Sequence, residues 1–404
     1  MGGSGGGSVR IEADTVSIHG TISANGQACP DQYAAAGAGG SVYISCRTLA
    51  GTNGTIRANG GGGFTYNSNG NGGEGAGGRI AVIYDSSAQA ALPLPTIQFR
   101  VAGGRTNARN IGDLGTIYFP AATLVTEDTI NYFSGQFPWL SAWTATNVAL
   151  TNGWIRFPKD SCALTIVSNF TLGGATTRFD LGGDAYLVSY MASSGTGYPV
   201  VSNLPSRYVY NGGTGNVSLV VGKTMIITNA ASLFVFSAST NTSRPAYGAL
   251  VRVLGQAFVA GPGSCIYAAS HPTNGGAPLF NFGELTIGTQ AMICADGMGY
   301  SMSNGYGHGA SSIRPGGGGH GGKGGNGDNG TLGGSAYCSS NAPTSPGSPP
   351  GRYTGSANSG PGWGGGVVRI TAGTFWLNGG AVSADADLND AGAGGAVWIT
   401  THRF

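Results

Sequence analysis

Three kinds of chemistry are within reach of the side chains in this chain: bond cleavage by paired carboxylates, cation binding by clustered oxygens, and sugar binding by aromatic faces. Glycoside-cleaving sites set two carboxylates about 5 to 10 Å apart across the scissile bond. Few of the seventeen acids are close in sequence. Glu127 and Asp128 are adjacent, so in a strand they would point to opposite faces. Asp180 and Asp184 flank Gly182-Gly183 and read as a turn. A pair assembled from distant segments stays open, so a polysaccharide hydrolase or lyase is carried as an alternative.

For cations, Asp385-Ala386-Asp387-Leu388-Asn389-Asp390 alternates carboxylates as calcium loops do. Such loops need glycine at the sixth position, where Asp390 stands, and glutamate at the twelfth, where Ala396 stands. Ca²⁺ on Asp385, Asp387 and Asp390 is therefore set against a plain polar turn, and no other cofactor is expected. His308, His320 and Lys323 share a glycine-rich stretch without an acid or cysteine at ligand spacing, and read as solvated side chains. The six cysteines lack any Cys-x-x-Cys spacing, which argues against zinc and redox motifs; their even count leaves disulfides and buried thiols both open.

Aromatic residues give the denser signal. Tyr118, Phe119, Tyr132, Phe133, Phe137, Trp139, Trp143, Trp154 and Phe157 crowd one stretch. Exposed, the rings of Tyr132, Trp139, Trp143 and Trp154 would stack on sugar faces as a carbohydrate-binding platform. Buried, they would fill an irregular core, which is the usual fate of phenylalanine-rich clusters.

Any of these groups must be positioned by unusual elements. Glycine contributes 77 of the 404 residues and charged residues only 9%, against a norm of about 25%. The glycines alternate with short runs rich in Val, Ile, Thr and aromatics, the signature of turns and strands. A net charge of +2 with scattered Lys and Arg gives no case for nucleic acid or anionic membrane. No apolar run approaches the roughly 18 residues of a membrane span. Met1 leads straight into glycines without a basic, apolar leader, so an export signal is expected upstream of this stretch.

Internal repetition is the strongest feature. Gly7-Ser8-Val9-Arg10-Ile11-Glu12-Ala13, followed by Gly20-Thr21-Ile22-Ser23-Ala24-Asn25-Gly26, recurs as Gly40-Ser41-Val42-Tyr43-Ile44-Ser45-Cys46 and Gly54-Thr55-Ile56-Arg57-Ala58-Asn59-Gly60. It returns as Gly366-Val367-Val368-Arg369-Ile370-Thr371-Ala372 with Ala381-Val382-Ser383-Ala384-Asp385. Partial copies lie at 75–85, 285–297 and 392–400. Strands this short cannot bury an apolar face alone, so the copies must stack. The pattern predicts an all-β right-handed parallel β-helix, a β-solenoid. The Asn-Gly and Asp-Gly pairs at Asn25, Asn59 and Asp296 predict turns with positive φ.

After each such turn a glycine-rich excursion begins, and stacking would make the excursions leave from one corner. They are expected to pack side by side as extended, polyglycine-II-like strands. The chain divides into glycine-rich coils over 1–85, a less regular solenoid over 86–278 with an inserted β-sandwich as the alternative, and glycine-rich coils over 279–404 with a long glycine loop at 297–366. No helical periodicity is evident.

The repeated Gly-Gly-x-Val-x-Ile-x-Ala and Gly-x-Ile-x-Ala-Asn-Gly patterns resemble the glycine-rich repeats of very large secreted bacterial surface proteins, similar to autotransporter passengers and other β-helical adhesins. The resemblance covers about residues 1–85 and 280–404. It implies an exported structural or adhesive segment rather than an enzyme, located outside the cell or at its surface. The partners implied are a polysaccharide or neighbouring copies and segments of the same surface protein.

Overall fold

The computed structural model of the chain describes residues 2–30, 34–63, 73–104, 112–183, 185–189, 207–210, 216–239, 247–301, 304–355, 362–387 and 392–404. Its regular structure is almost wholly β and its pairing almost wholly parallel, as the repeats predict.

Two lines of strands run through the molecule. The first is made of short strands: Thr21–Ser23, Thr52–Arg57, Thr96–Arg100, Phe133–Gln136, Trp154–Phe157, Arg178–Leu181, Ser232–Phe236, Cys265–Ala269, Met292–Cys294 and Ala381–Ser383. Each pairs in parallel with the next. The second line, of mostly longer strands, is broken once. Ser8–Ser17, Ser41–Ala50, Arg79–Ile83 and Thr116–Tyr118 form its first section. Ala142–Thr151, Ala163–Gly173, the split pair Val217–Val221 and Thr224–Thr228, Ala249–Val259, Pro278–Ile287, Val367–Leu377 and Ala396–Arg403 form the second.

Phe133–Gln136 also touches Thr116–Tyr118, which joins the short line and the first long section into one fourteen-stranded sheet; the second long section is an eight-stranded sheet. The short line runs unbroken through the middle of the sequence, whereas the long line breaks there between Thr116–Tyr118 and Ala142–Thr151. Ala185–Ser189 and Arg207–Tyr210 form a separate antiparallel pair.

The registers follow the repeat. Val9 stacks on Val42, Val42 on Ile80 and Ile80 on Ile117, while Ile22 stacks on Ile56 and Ile56 on Phe99. At the other end Val368 stacks on Val397 and Ile370 on Ile399. Alternation sends Ile44, Leu49, Ile56 and Ala58 of a single coil fully inward, and the inward residues of all coils make one core from Val16 to Ala384. Full burial of each Ile or Leu contributes about 1.5–3 kcal/mol, so each coil is stabilised mainly by the coils above and below it.

Left-handed residues sit chiefly at the corner between a long and a short strand: Asn152, Gly174, Asn229, Ala230, Gln290 and Gly379. That corrects the expectation for the Asn-Gly and Asp-Gly pairs, of which only Gly297 has positive φ (61°). Asn25, Asn59 and Asp296 instead form a side-chain ladder. Their Oδ1 atoms accept the backbone amides of Asn59, Ala102 and Asp385 in the following coil, at 2.8, 2.9 and 2.7 Å. The turn signal at Asn211-Gly212-Gly213 lies outside the described residues.

Among the described residues two single 3-10 turns, Ala122–Leu124 and Ile130–Tyr132, and one short α-helix, Ser86–Ala90, interrupt the β pattern; the five residues of the α-helix are too few to show a period. The Asp85 side chain caps it by accepting from the amides of Ser87 and Ala88. Its buried Gln89 side chain accepts from Leu49 N (2.8 Å) and donates to Leu49 O (3.1 Å), standing in for a strand neighbour.

Candidate functional site

Three features carry side chains or backbone arranged beyond what the core requires: the glycine arms, a buried charge cluster, and the break in the long line.

The glycine arms are ordered by a three-residue step. Within a coil, the returning arm bonds to its own outgoing arm: Gly37 N to Gln27 O and Gly40 N to Ala24 O, then Gly75 N to Gly61 O and Gly78 N to Ala58 O. Between coils the returning arms run parallel: Gly3 N donates to Ala35 O and Gly6 N to Ala38 O, Ala36 N to Gly73 O and Gly39 N to Ala76 O. Along these arms the amides that reach a given neighbour recur at intervals of three residues. The arms lie so close that a Cβ on Gly37, Gly40, Gly60 or Gly75 would overlap a neighbouring carbonyl oxygen. The loop at 297–366 is built alike, with Gly316 N to Ala310 O, Gly319 N to Gly307 O, Gly324 N to Gly334 O and Gly351 N to Gly316 O.

His320 belongs to this second bundle, which corrects its reading as a solvated side chain. Its ring lies 5.2 Å from that of Tyr337 and its Nε2 is 2.8 Å from Ser345 O. Burial lowers its pKa, partly offset by the Ser345 carbonyl. His308 is exposed.

The charge cluster lies on the face of the short line turned away from the core. Asp180, read from sequence as part of a turn, sits in a strand and is fully buried. Its carboxylate accepts from Arg178 Nε (2.6 Å), Arg156 Nε (3.0 Å) and Trp154 Nε1 (2.9 Å). Arg156, also fully buried, forms a second, bidentate pair with Asp113 at 2.9 and 3.0 Å. The Arg178 guanidinium lies 4.5 Å from the Trp154 ring and 3.8 Å from that of Phe234. Burial works against the Asp180 carboxylate, but the Arg178 and Arg156 charges overcome it and hold its pKa below the ordinary value. The Asp180 carboxylate and the Arg156 guanidinium are both engaged by charged partners within the cluster, as a structural clamp requires. Asp184 lies outside the described residues.

Of the four rings read as a sugar platform, Trp143 and Trp154 are buried. Trp154 is committed to Asp180. Trp143 is 5% exposed, stacked on Phe157 at 5.9 Å, with its Nε1 donating to Val125 O. Trp139 is half-buried among Tyr118, Phe119 and Phe137 and donates to Ile117 O, and Tyr132 is half-buried. The cluster is instead a column of rings along the core, Phe99 to Phe133 to Phe137 to Phe157 to Phe179, at centroid spacings of 5.3, 5.4, 5.6 and 5.4 Å. It bridges the level at which the long line breaks.

At that break, strand Ala142–Thr151 has a strand neighbour on one side only among the described residues. Side chains from the preceding segment close part of its other edge. Glu127 Oε2 accepts from the amides of Thr146 (2.7 Å) and Asn147 (2.8 Å). Asn131 accepts from Thr151 N (2.8 Å) and donates to Ala149 O. Beside the remaining edge is a shallow open depression of about 440 Å³ whose lining includes Thr123, Thr126, Glu127, Trp143 and Thr144. Among the described residues Glu127 is the one acid lining it, so they assemble no carboxylate pair there.

Of the calcium candidates, Asp385 is exposed and donates its amide to Asp296, Asp387 donates its amide to Trp363 O, and Asp390 lies outside the described residues. Among the described residues no group of three or more His, Cys, Asp or Glu is placed to hold a metal. The six cysteines are free thiols; burial pushes Cys265 and Cys294 well above the usual thiol range. Asp296 is the acid whose surroundings raise its pKa, because burial outweighs the Ser383 hydroxyl and the Asp385 amide.

Compared with known proteins, the chain matches no protein-family model, no curated protein and no solved structure.

Proposed function

We propose that the chain is a segment of a right-handed parallel β-helix with a polyglycine-II-like side wall, serving as a structural or adhesive element outside the cell or at its surface. One observation carries the reading. Successive coils are tied along two lines of strands, one of them broken once, and the glycine-rich coils are tied on a further side by their bonded arms. Bracing on several sides suits a stiff rod, and the low charge suits one that packs beside neighbouring copies or along a polysaccharide. The buried charge cluster fits the same role, since it fixes strand order without offering a free acid or base.

Retention on a panel of immobilised polysaccharides, with and without Ca²⁺ and followed by product analysis, tests the adhesive side. Retention with intact polymer is expected. Shortened polymer would replace this reading with that of a carbohydrate-active enzyme.

A further inference from the structure

We infer that the break in the long line of strands is a receptor for an extended peptide, which adds as a short strand to the free edge of Ala142–Ala145 with a basic residue beside Glu127. Ala163 N donates to Ser141 O, so the odd-numbered backbone groups at this end of the strand face its partner. The amides and carbonyls of Ala142 and Thr144 therefore face the open side, as alternation along a parallel strand requires. They have no hydrogen-bond partner there among the described residues, whereas positions 146 to 151 of the same edge are closed by Glu127 and Asn131.

The unclosed part opens onto the depression. Unpaired strand edges are natural templates for an incoming strand, and pockets beside them select its side chains. Here the lining is mostly small and hydroxylated apart from one carboxylate, and the Oε1 of Glu127 makes no hydrogen bond among the described residues. That arrangement fits a three- or four-residue segment with small or β-branched side chains and one Lys or Arg. The inference goes beyond the proposed function and concerns a different part of the surface.

The probe is fluorescein-labelled Thr-Val-Lys-Val-Thr with blocked ends, titrated into the full chain by fluorescence anisotropy. Saturable binding is expected, with at least fivefold weakening when the probe lysine becomes glutamate and similar weakening in the Glu127→Gln protein. The carboxamide oxygen introduced by that substitution can still accept from Thr146 and Asn147, so the edge stays closed there. Thr144→Pro removes one outward amide from an edge strand, where proline is tolerated, and should lower affinity tenfold or more with an unchanged unfolding midpoint.

N-methylation of the probe at alternate residues should abolish binding in one register and spare it in the other. Absence of binding, or equal binding of both methylated registers, would overturn the inference. So would preference for the glutamate probe. None of these outcomes bears on polysaccharide retention, which tests the proposed function separately.

Discussion

Two glycines on one arm allow the glycine lattice to be tested against itself. Gly73 and Gly75 are two residues apart, and neither has the left-handed φ that an alanine would resist. A Cβ on Gly73 would meet nothing within 4 Å, whereas a Cβ on Gly75 would overlap Gly37 O. Gly37 O already accepts from Gly61 N at 2.8 Å, Gly75 N donates to Gly61 O at 3.0 Å, and Gly75 O accepts from Gly104 N at 2.9 Å. Relieving the overlap must strain or break these three bonds, each worth about 0.5–1.5 kcal/mol net, so Gly75→Ala should cost about 2–4 kcal/mol locally.

Gly73→Ala should be neutral or stabilise by up to about 1 kcal/mol, because it narrows the unfolded ensemble. Amide hydrogen exchange over 58–63 and 73–78, read by mass spectrometry, reports the local opening. Exchange is expected to accelerate roughly 30- to 800-fold in Gly75→Ala and to stay level or slow in Gly73→Ala. Equal behaviour of the two variants would refute the claim that close approach, rather than flexibility, explains the glycines.

Other perturbations read other parts of the molecule. Asp180→Asn leaves two guanidiniums facing a neutral amide in a buried site and should cost about 3–5 kcal/mol in denaturant unfolding. Asp296→Asn should instead stabilise, by at most about 1 kcal/mol, because Asn25 and Asn59 make the same ladder contact in earlier coils. The folded Asp296 binds its proton more readily than the unfolded one, so that gain is largest at neutral pH and should vanish as pH falls through the raised pKa. For His320 the shift has the opposite sign. With its folded pKa below 6.5, the unfolded chain takes up protons first, so stability of the glycine bundle holds above pH 6.5 and falls below it. Proteolysis of the 304–355 segment at pH values of about 7.5 and 5.5, on either side of the ordinary histidine pKa, should show this loss, and His320→Gln should flatten it.

The sequence made the registers legible because each coil repeats the same alternation: Val9 over Val42 and Ile22 over Ile56 can be read by laying one copy on another. It made the arms legible because glycine was too frequent to be random there. It hid what is used only once. Glu127, Asn131 and Gln89 replace missing strand neighbours through single side-chain contacts, and no periodicity announces those. The aromatic stretch could be located by density, but whether its rings faced solvent depended on the column from Phe99 to Phe179, which draws on several coils. The left-handed corners were missed because Asn152, Asn229 and Gln290 share no motif.

The mismatch between the strand step and the arm step limits how such a chain can change its length. A strand that gains one residue turns its apolar set outward, and two residues restore it. In an arm the unit is three, since the Gly75 and Gly78 amides reach the same outgoing arm, at Gly61 and Ala58, at that interval. Deleting one or two residues from an arm puts its amides out of step with the carbonyls they reach, while deleting three keeps them in step. Viable insertions and deletions in the arms should therefore arrive in triplets of residues, making the side wall a ruler against which the width of each coil is counted.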